Sequence, residues 1–90
     1  MYFEWDAEKA LRNEQKHGVG FNEARSVFQD ADSITIPDPA HSADEDRFID
    51  IGYSDRGRML VVMYTERAGH IRIISSRKAT AAESKAYEQK

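Results

Sequence analysis

Residues 47–79 read RFIDIGYSDRGRMLVVMYTERAGHIRIISSRKA, and this stretch decides the fold. From Arg47 to Tyr53 apolar residues alternate, with Ile49, Ile51 and Tyr53 on one side, the period of a half-buried strand. Met59 to Thr65 is a near-continuous apolar run, the mark of a strand buried on both faces. His70 to Ser76 alternates again: Ile71 and Ile73 point one way, and His70, Arg72 and Ile74 the other. Asp55-Arg56-Gly57-Arg58 and Ala68-Gly69 supply turns between these runs. Three strands joined by turns this short make an antiparallel meander.

Working outward, Thr80-Ala81-Ala82-Glu83 is a capping box that opens a C-terminal helix carrying Tyr87. Upstream, Tyr2–Trp5 has strand propensity, and Asp6 caps a helix that Gly18 stops. Phe21, Ala24, Val27 and Phe28 recur at helical spacing and predict a second helix, with Asn22 as its cap. Ser33–Ile36 reads as a short strand closed by Pro37 and Pro39. The predicted order is β-α-α-β-β-β-β-α, with the Ile34–Ile36 strand the weakest. The expected class is α+β: a small antiparallel sheet of about four strands with helices packed on one face.

The chain has 90 residues, which predicts one domain over 1–90. It has no cysteine, hence no disulfide framework and no thiol nucleophile. No apolar run approaches the roughly 20 residues of a membrane helix, and no signal peptide is evident, so a cytoplasmic protein is expected. The net charge of -3 argues against a nucleic-acid binder, but it is an average over two unlike halves. Residues 1–50 carry five Lys/Arg and twelve Asp/Glu, a net of 5 - 12 = -7; residues 51–90 carry eight and four, a net of 8 - 4 = +4.

Arg67, Arg72 and Arg77 flank or interrupt the most apolar part of the chain. If Ile71 and Ile73 lie under the helices, Arg72 projects from the open face, and Arg67 and Arg77 at the strand ends converge there. Two readings follow. The arginines solubilise that face and pair with Glu66 and Asp50, or they gather a phosphate through planar bidentate forks. His17 is either a helix-terminal residue bonding the last carbonyls or a proton-transfer group beside Lys16. His41 lies in an acidic loop with Asp44, Glu45 and Asp46, whose charge favours its protonated form. Tyr64 and Tyr87 either pack in the core or stack on a base. His17, His41 and His70 are scattered, so neither a metal site nor a cofactor is expected.

Taken together, certain residues resemble a known family. Phe3-Glu4-Trp5-Asp6, Lys9, Asn13 and Lys16-His17-Gly18-Val19, then Phe21 and Ala24, are similar to the opening of the BrnT family, the toxin half of the BrnT–BrnA type II toxin–antitoxin systems. The likeness continues through Asp38-Pro39-Ala40-His41-Ser42, Glu45-Asp46-Arg47-Phe48, Ile51-Gly52, Leu60-Val61-Val62 and Thr65-Glu66-Arg67. It ends on Arg72-Ile73-Ile74-Ser75-Ser76-Arg77-Lys78-Ala79 with Glu83.

The resemblance implies a RelE-like fold and a ribonuclease that arrests growth by blocking translation. It also implies a BrnA-like ribbon-helix-helix antitoxin, contact with operator DNA only through that antitoxin, and no membrane. A metal-free ribonuclease uses the substrate 2′-OH as nucleophile. It needs a base, cations at the phosphate and an acid for the leaving oxygen. His17, Arg47, Arg67 and Arg77 are the candidate catalytic residues; Lys16, Arg72, Lys78 and Tyr64 are the candidate RNA contacts. The competing expectation is a catalytically inactive module that binds a DNA-binding antitoxin. A DNA-binding role alone is disfavoured, because the second helix carries only Arg25 as a basic residue.

Overall fold

A computed structural model describes residues 1–38 and 46–89. His41, Asp44 and Glu45 lie outside the described residues. The elements are β1 (Tyr2–Glu4), α1 (Ala7–His17), α2 (Phe21–Ser26) continuing into a 3-10 turn (Val27–Gln29), β2 (Ile34–Pro37), β3 (Arg47–Tyr53), β4 (Met59–Arg67), β5 (His70–Lys78) and α3 (Ala81–Glu88). The predicted order holds, including the strand at Ile34.

The sheet has five strands rather than about four, in the order β1-β5-β4-β3-β2. It is not wholly antiparallel: β1 pairs with β5 in parallel, Phe3 opposite Ile71 and Glu4 opposite Arg72. This pairing joins the two ends of the chain and leaves no trace in local periodicity.

Asp6 caps α1 by accepting a hydrogen bond from the Lys9 amide at 3.0 Å. Gly18 ends it at φ 71, a left-handed value that glycine adopts without steric cost. The α2 cap is Gly20, not Asn22, because the helix already begins at Phe21. Across the sheet, Phe3, Ile71, Ile73, Leu60, Val62, Tyr64 and Phe48 face α1 and α2 and close the core with Val19, Phe21, Ala24 and Val27. Gly52 lets the 3-10 turn and the segment after it sit against β3, since a Cβ there would lie 3.1 Å from the Val27 Cγ1 and 2.9 Å from the Ser33 Cβ.

The ladder between β4 and β5 shifts register between Met63 and Tyr64, whose partners are Ser75 and Ile73. Ile74 is the extra residue of a β-bulge. Strict alternation through 71–77 would place Arg77 beside Ile73, under the helices. The bulge instead turns Ser75 and Arg77 to the outer face with Arg72, and turns Ser76 inward.

Only α1 and α2 pack on the inner face. Val61 and Ile51 point outward with Arg77 yet are buried, at 0% and 3% exposure. On that side α3 meets the sheet. Glu83 pairs with Arg77, and Tyr87 lies 5.4 Å from the Tyr53 ring, edge to face. The expectation of helices on one face therefore holds for two of the three.

Candidate nucleic-acid interface

Three neighbouring strands place Arg47, Thr65 and Arg72 in one cross-strand row on the outer face. Arg67 follows Thr65 by two residues and shares that face. Three expected cations thus gather at one end of the sheet. Arg72 lies 4.0 Å from Glu4, a loose pair with both side chains nearly half exposed. In the middle of the row Thr65 is 1% exposed, and its Oγ1 is the buried side-chain polar atom without a hydrogen-bond partner among the described residues. A buried hydroxyl left unpaired costs roughly 1–3 kcal/mol. The register sets this unsatisfied hydroxyl between the strand positions of Arg47 and Arg72.

Arg77 is elsewhere. Its partner Val61 lies four residues along β4 from Thr65, about 13 Å at strand rise. Both arms of its fork are taken by Glu83, at 2.7 and 2.8 Å. Glu83 is thus more than the second half of a capping box, although that box is present as well. The Arg77 guanidinium, ahead of the Thr80 backbone, holds the Glu83 carboxyl down to about 2. The same pair raises Arg77.

His17 and Lys16 lie in the last turn of α1 and line a groove with Lys9, Arg12, Asn13, Ile74 and Ser75. Two contacts fix α1 there. Asn13 bonds Ser76 through both ends of its amide, and Arg58 donates to the Gly18 carbonyl at 3.0 Å. Arg58 is itself held by buried Glu23, which accepts from its Nε at 2.9 Å.

Two candidates change character. Tyr64 is a core residue, 5% exposed, with its ring edge-on to Phe28 and its hydroxyl donating to Asp50 at 2.8 Å. It cannot offer a stacking surface. Burial pushes its hydroxyl well above the ordinary range. Asp50 also accepts from Thr35 at 2.7 Å and faces inward, so it pairs with none of the outer arginines; burial raises its carboxyl pKa. Lys78 is exposed at the end of β5, opposite Leu60, on the inner side. It stands apart from the arginine row.

Residues 5–83 match the family described as ribonuclease toxin, BrnT, of type II toxin-antitoxin system. The chain belongs to the BrnT family. Membership of a two-component system implies a cognate antitoxin. The BrnT fold is borne out independently. The crystal structure of the Brucella abortus ribonuclease toxin, BrnT, aligns with a TM-score of 0.70 at 24% identity, over 89% of this chain and 97% of that one. No curated protein matches the chain.

In this BrnT chain, Thr65 and Asn13 are residues that the sequence reading counted in the family likeness but gave no role. Thr65 was hidden because the apolar run around it reads as core on both faces. Asn13 was hidden because a lone amide on a polar helix looks solvated. The clue to Asn13 was the thinness of the apolar stripe on α1.

Proposed function

We propose that this chain is a metal-independent endoribonuclease that arrests growth by cutting RNA until its antitoxin, a ribbon-helix-helix protein, covers it. The observation that carries this reading is the Arg47–Thr65–Arg72 row, two cations flanking in register a buried hydroxyl that has no partner among the described residues. RNA phosphate sits on that row, with Arg67 beside it. In the reaction the substrate 2′-oxygen attacks phosphorus. A new P–O2′ bond forms, the P–O5′ bond breaks, and the products are a 2′,3′-cyclic phosphate and a 5′-hydroxyl. The guanidinium forks stabilise the charge that develops on the non-bridging oxygens. His17 is the proton-transfer group, placed by α1 against Ile74 and Ser75 with Lys16 adjacent. Arg77 borders the same stretch of β5 and reaches substrate only when its Glu83 pair opens. Otherwise it anchors α3.

The second reading, an inactive module that binds a DNA-binding antitoxin, is favoured by one observation: Arg77, a leading catalytic candidate, is committed to Glu83. Purified, antitoxin-free protein incubated with total RNA in excess chelator separates the two. Cleavage supports the enzyme, and an RNA profile identical to the protein-free blank supports the module.

A further inference from the structure

The groove between α1 and β5 contains two cations that the reaction does not use, Lys9 and Arg12. Lys9, Arg12 and Lys16 occupy helical positions i, i+3 and i+7, so they line one side of α1, and His17 lies next to Lys16. The opposite wall is Ile74 and Ser75, at the bulge that turns Ser75 toward the outer face. The cavity is about 240 Å³ and open along its length. These charges stand in the half of the chain whose net is -7, so they are segregated onto one face rather than typical of their surroundings. Lys9 and Lys16 are about 10 Å apart along the helix axis, too far for one small dianion to satisfy both. The spacing suits successive phosphates of a polyanion. The groove is also preformed, because Asn13 bolts the middle of α1 to β5 and Arg58 bolts its end. One of its cations, Arg12, is steadied by Glu8 one turn earlier.

We infer that this groove is a track for single-stranded RNA, with Lys9 and Arg12 gripping backbone phosphates of the strand whose scissile phosphate lies on the outer-face row. The inference rests on the ribonuclease reading for its choice of polyanion. Point cations without a stacking surface give affinity without sequence preference, so the track positions RNA and does not select it.

The test is binding of a fluorescein-labelled, 2′-O-methylated oligoribonucleotide, which cannot be cut, titrated against salt. Lys9→Gln/Arg12→Gln is compared with wild type and with Lys85→Gln on α3, while cleavage of total RNA is followed separately. The double variant is expected to bind more weakly on every sequence, with the log–log salt slope reduced by about 1.4, about 0.7 for each lost phosphate contact. Lys85→Gln is expected to match wild type. Unchanged affinity and slope in the double variant overturn the track, whether or not RNA is cut. Unchanged strand binding with lost binding of poly-glutamate assigns the groove to an acidic protein segment and equally overturns it. Reduced strand binding in a protein that cuts no RNA upholds the track and sinks the ribonuclease reading instead.

Discussion

Asn13 acts as a surrogate strand for Ser76. Its side-chain nitrogen donates to the Ser76 carbonyl at 2.8 Å, and its side-chain oxygen accepts from the Ser76 amide at 3.2 Å. Beyond Arg72, β5 has no strand partner on the β1 side among the described residues. One helical amide supplies the two bonds a neighbouring strand would make, and the same nitrogen also reaches the Val19 carbonyl at 3.0 Å. The helix that carries Lys9, Arg12, Lys16 and His17 is thereby indexed to the sheet that carries the arginine row.

Asn13→Ala leaves two buried backbone groups of Ser76 without that partner. The expected loss is about 2 kcal/mol of unfolding free energy, with RNA binding weakened under conditions where the variant remains folded. Urea unfolding and oligonucleotide titration check this. A loss below about 0.5 kcal/mol, the scatter of ordinary surface substitutions, would mean that α1 is held mainly by other contacts.

Thr65→Val separates folding from function. The hydroxyl has no partner among the described residues, so removing it relieves a buried polar group, and the variant is expected to be as stable as wild type or more stable by up to about 1 kcal/mol. If the hydroxyl serves RNA phosphate, cleavage falls at least tenfold in the same protein. Destabilisation by more than 1 kcal/mol would instead reveal a structural partner for Thr65.

Glu83 sets the acid limb of stability. Its folded pKa, about 2, is below the ordinary 4.5, so its pair with Arg77 contributes fully above pH 4.5 and is lost as the pH falls toward 2. Glu83→Gln is expected to be less stable than wild type at pH 7, by about 1 kcal/mol for a partly exposed pair, and to converge with it near pH 2. Unfolding midpoints at pH 7, 4 and 2.5 read this directly. A gap that does not close on acidification would show that the pair contributes through packing rather than charge.

Asp50 has the opposite sign. Burial raises its folded pKa above 3.8, so the native state holds the proton more tightly, and stability falls as the pH rises through the raised value. Asp50→Asn removes that loss. The variant is expected to gain on wild type as the pH rises above 3.8, with the Thr35 and Tyr64 hydroxyls still able to donate to the amide oxygen. Parallel stability curves for the two proteins across pH 3–8 would contradict this.

Much of the fold was legible because local signals agreed with one another. Asp6 and Gly18 bracket α1, Thr80 and Glu83 open α3, and the alternation at Ile49, Ile51 and Tyr53 sits beside the unbroken run at Met59–Tyr64. Three features were not legible. The parallel pairing of β1 with β5 is non-local. The bulge at Ile74 interrupts a period-2 count silently, and it alone decides that Arg77 faces outward. The inward placement of Tyr64 is masked because its run is apolar on both faces. In the candidate site, Arg72 was read from strand parity and Arg47 from the family resemblance, and the strand register brings the two into one row. Arg77 was drawn into the same cluster because chain proximity to a strand end does not reveal a separation of four residues along the sheet. The net charge of -3 conceals the same geography: acidic residues populate the first half, yet one side of α1 and one end of the sheet are cationic.

The most direct measurement is cleavage of total RNA by purified, antitoxin-free protein in excess chelator, with Arg47→Ala/Arg72→Ala run beside wild type and both checked for folding by circular dichroism. Wild type is expected to cut RNA to fragments ending in 2′,3′-cyclic phosphate, and the folded double variant to lose at least a hundredfold in rate, about 2.7 kcal/mol of transition-state stabilisation. RNA left intact by wild type, or cut undiminished by the folded double variant, would contradict a metal-independent ribonuclease centred on the outer-face arginine row.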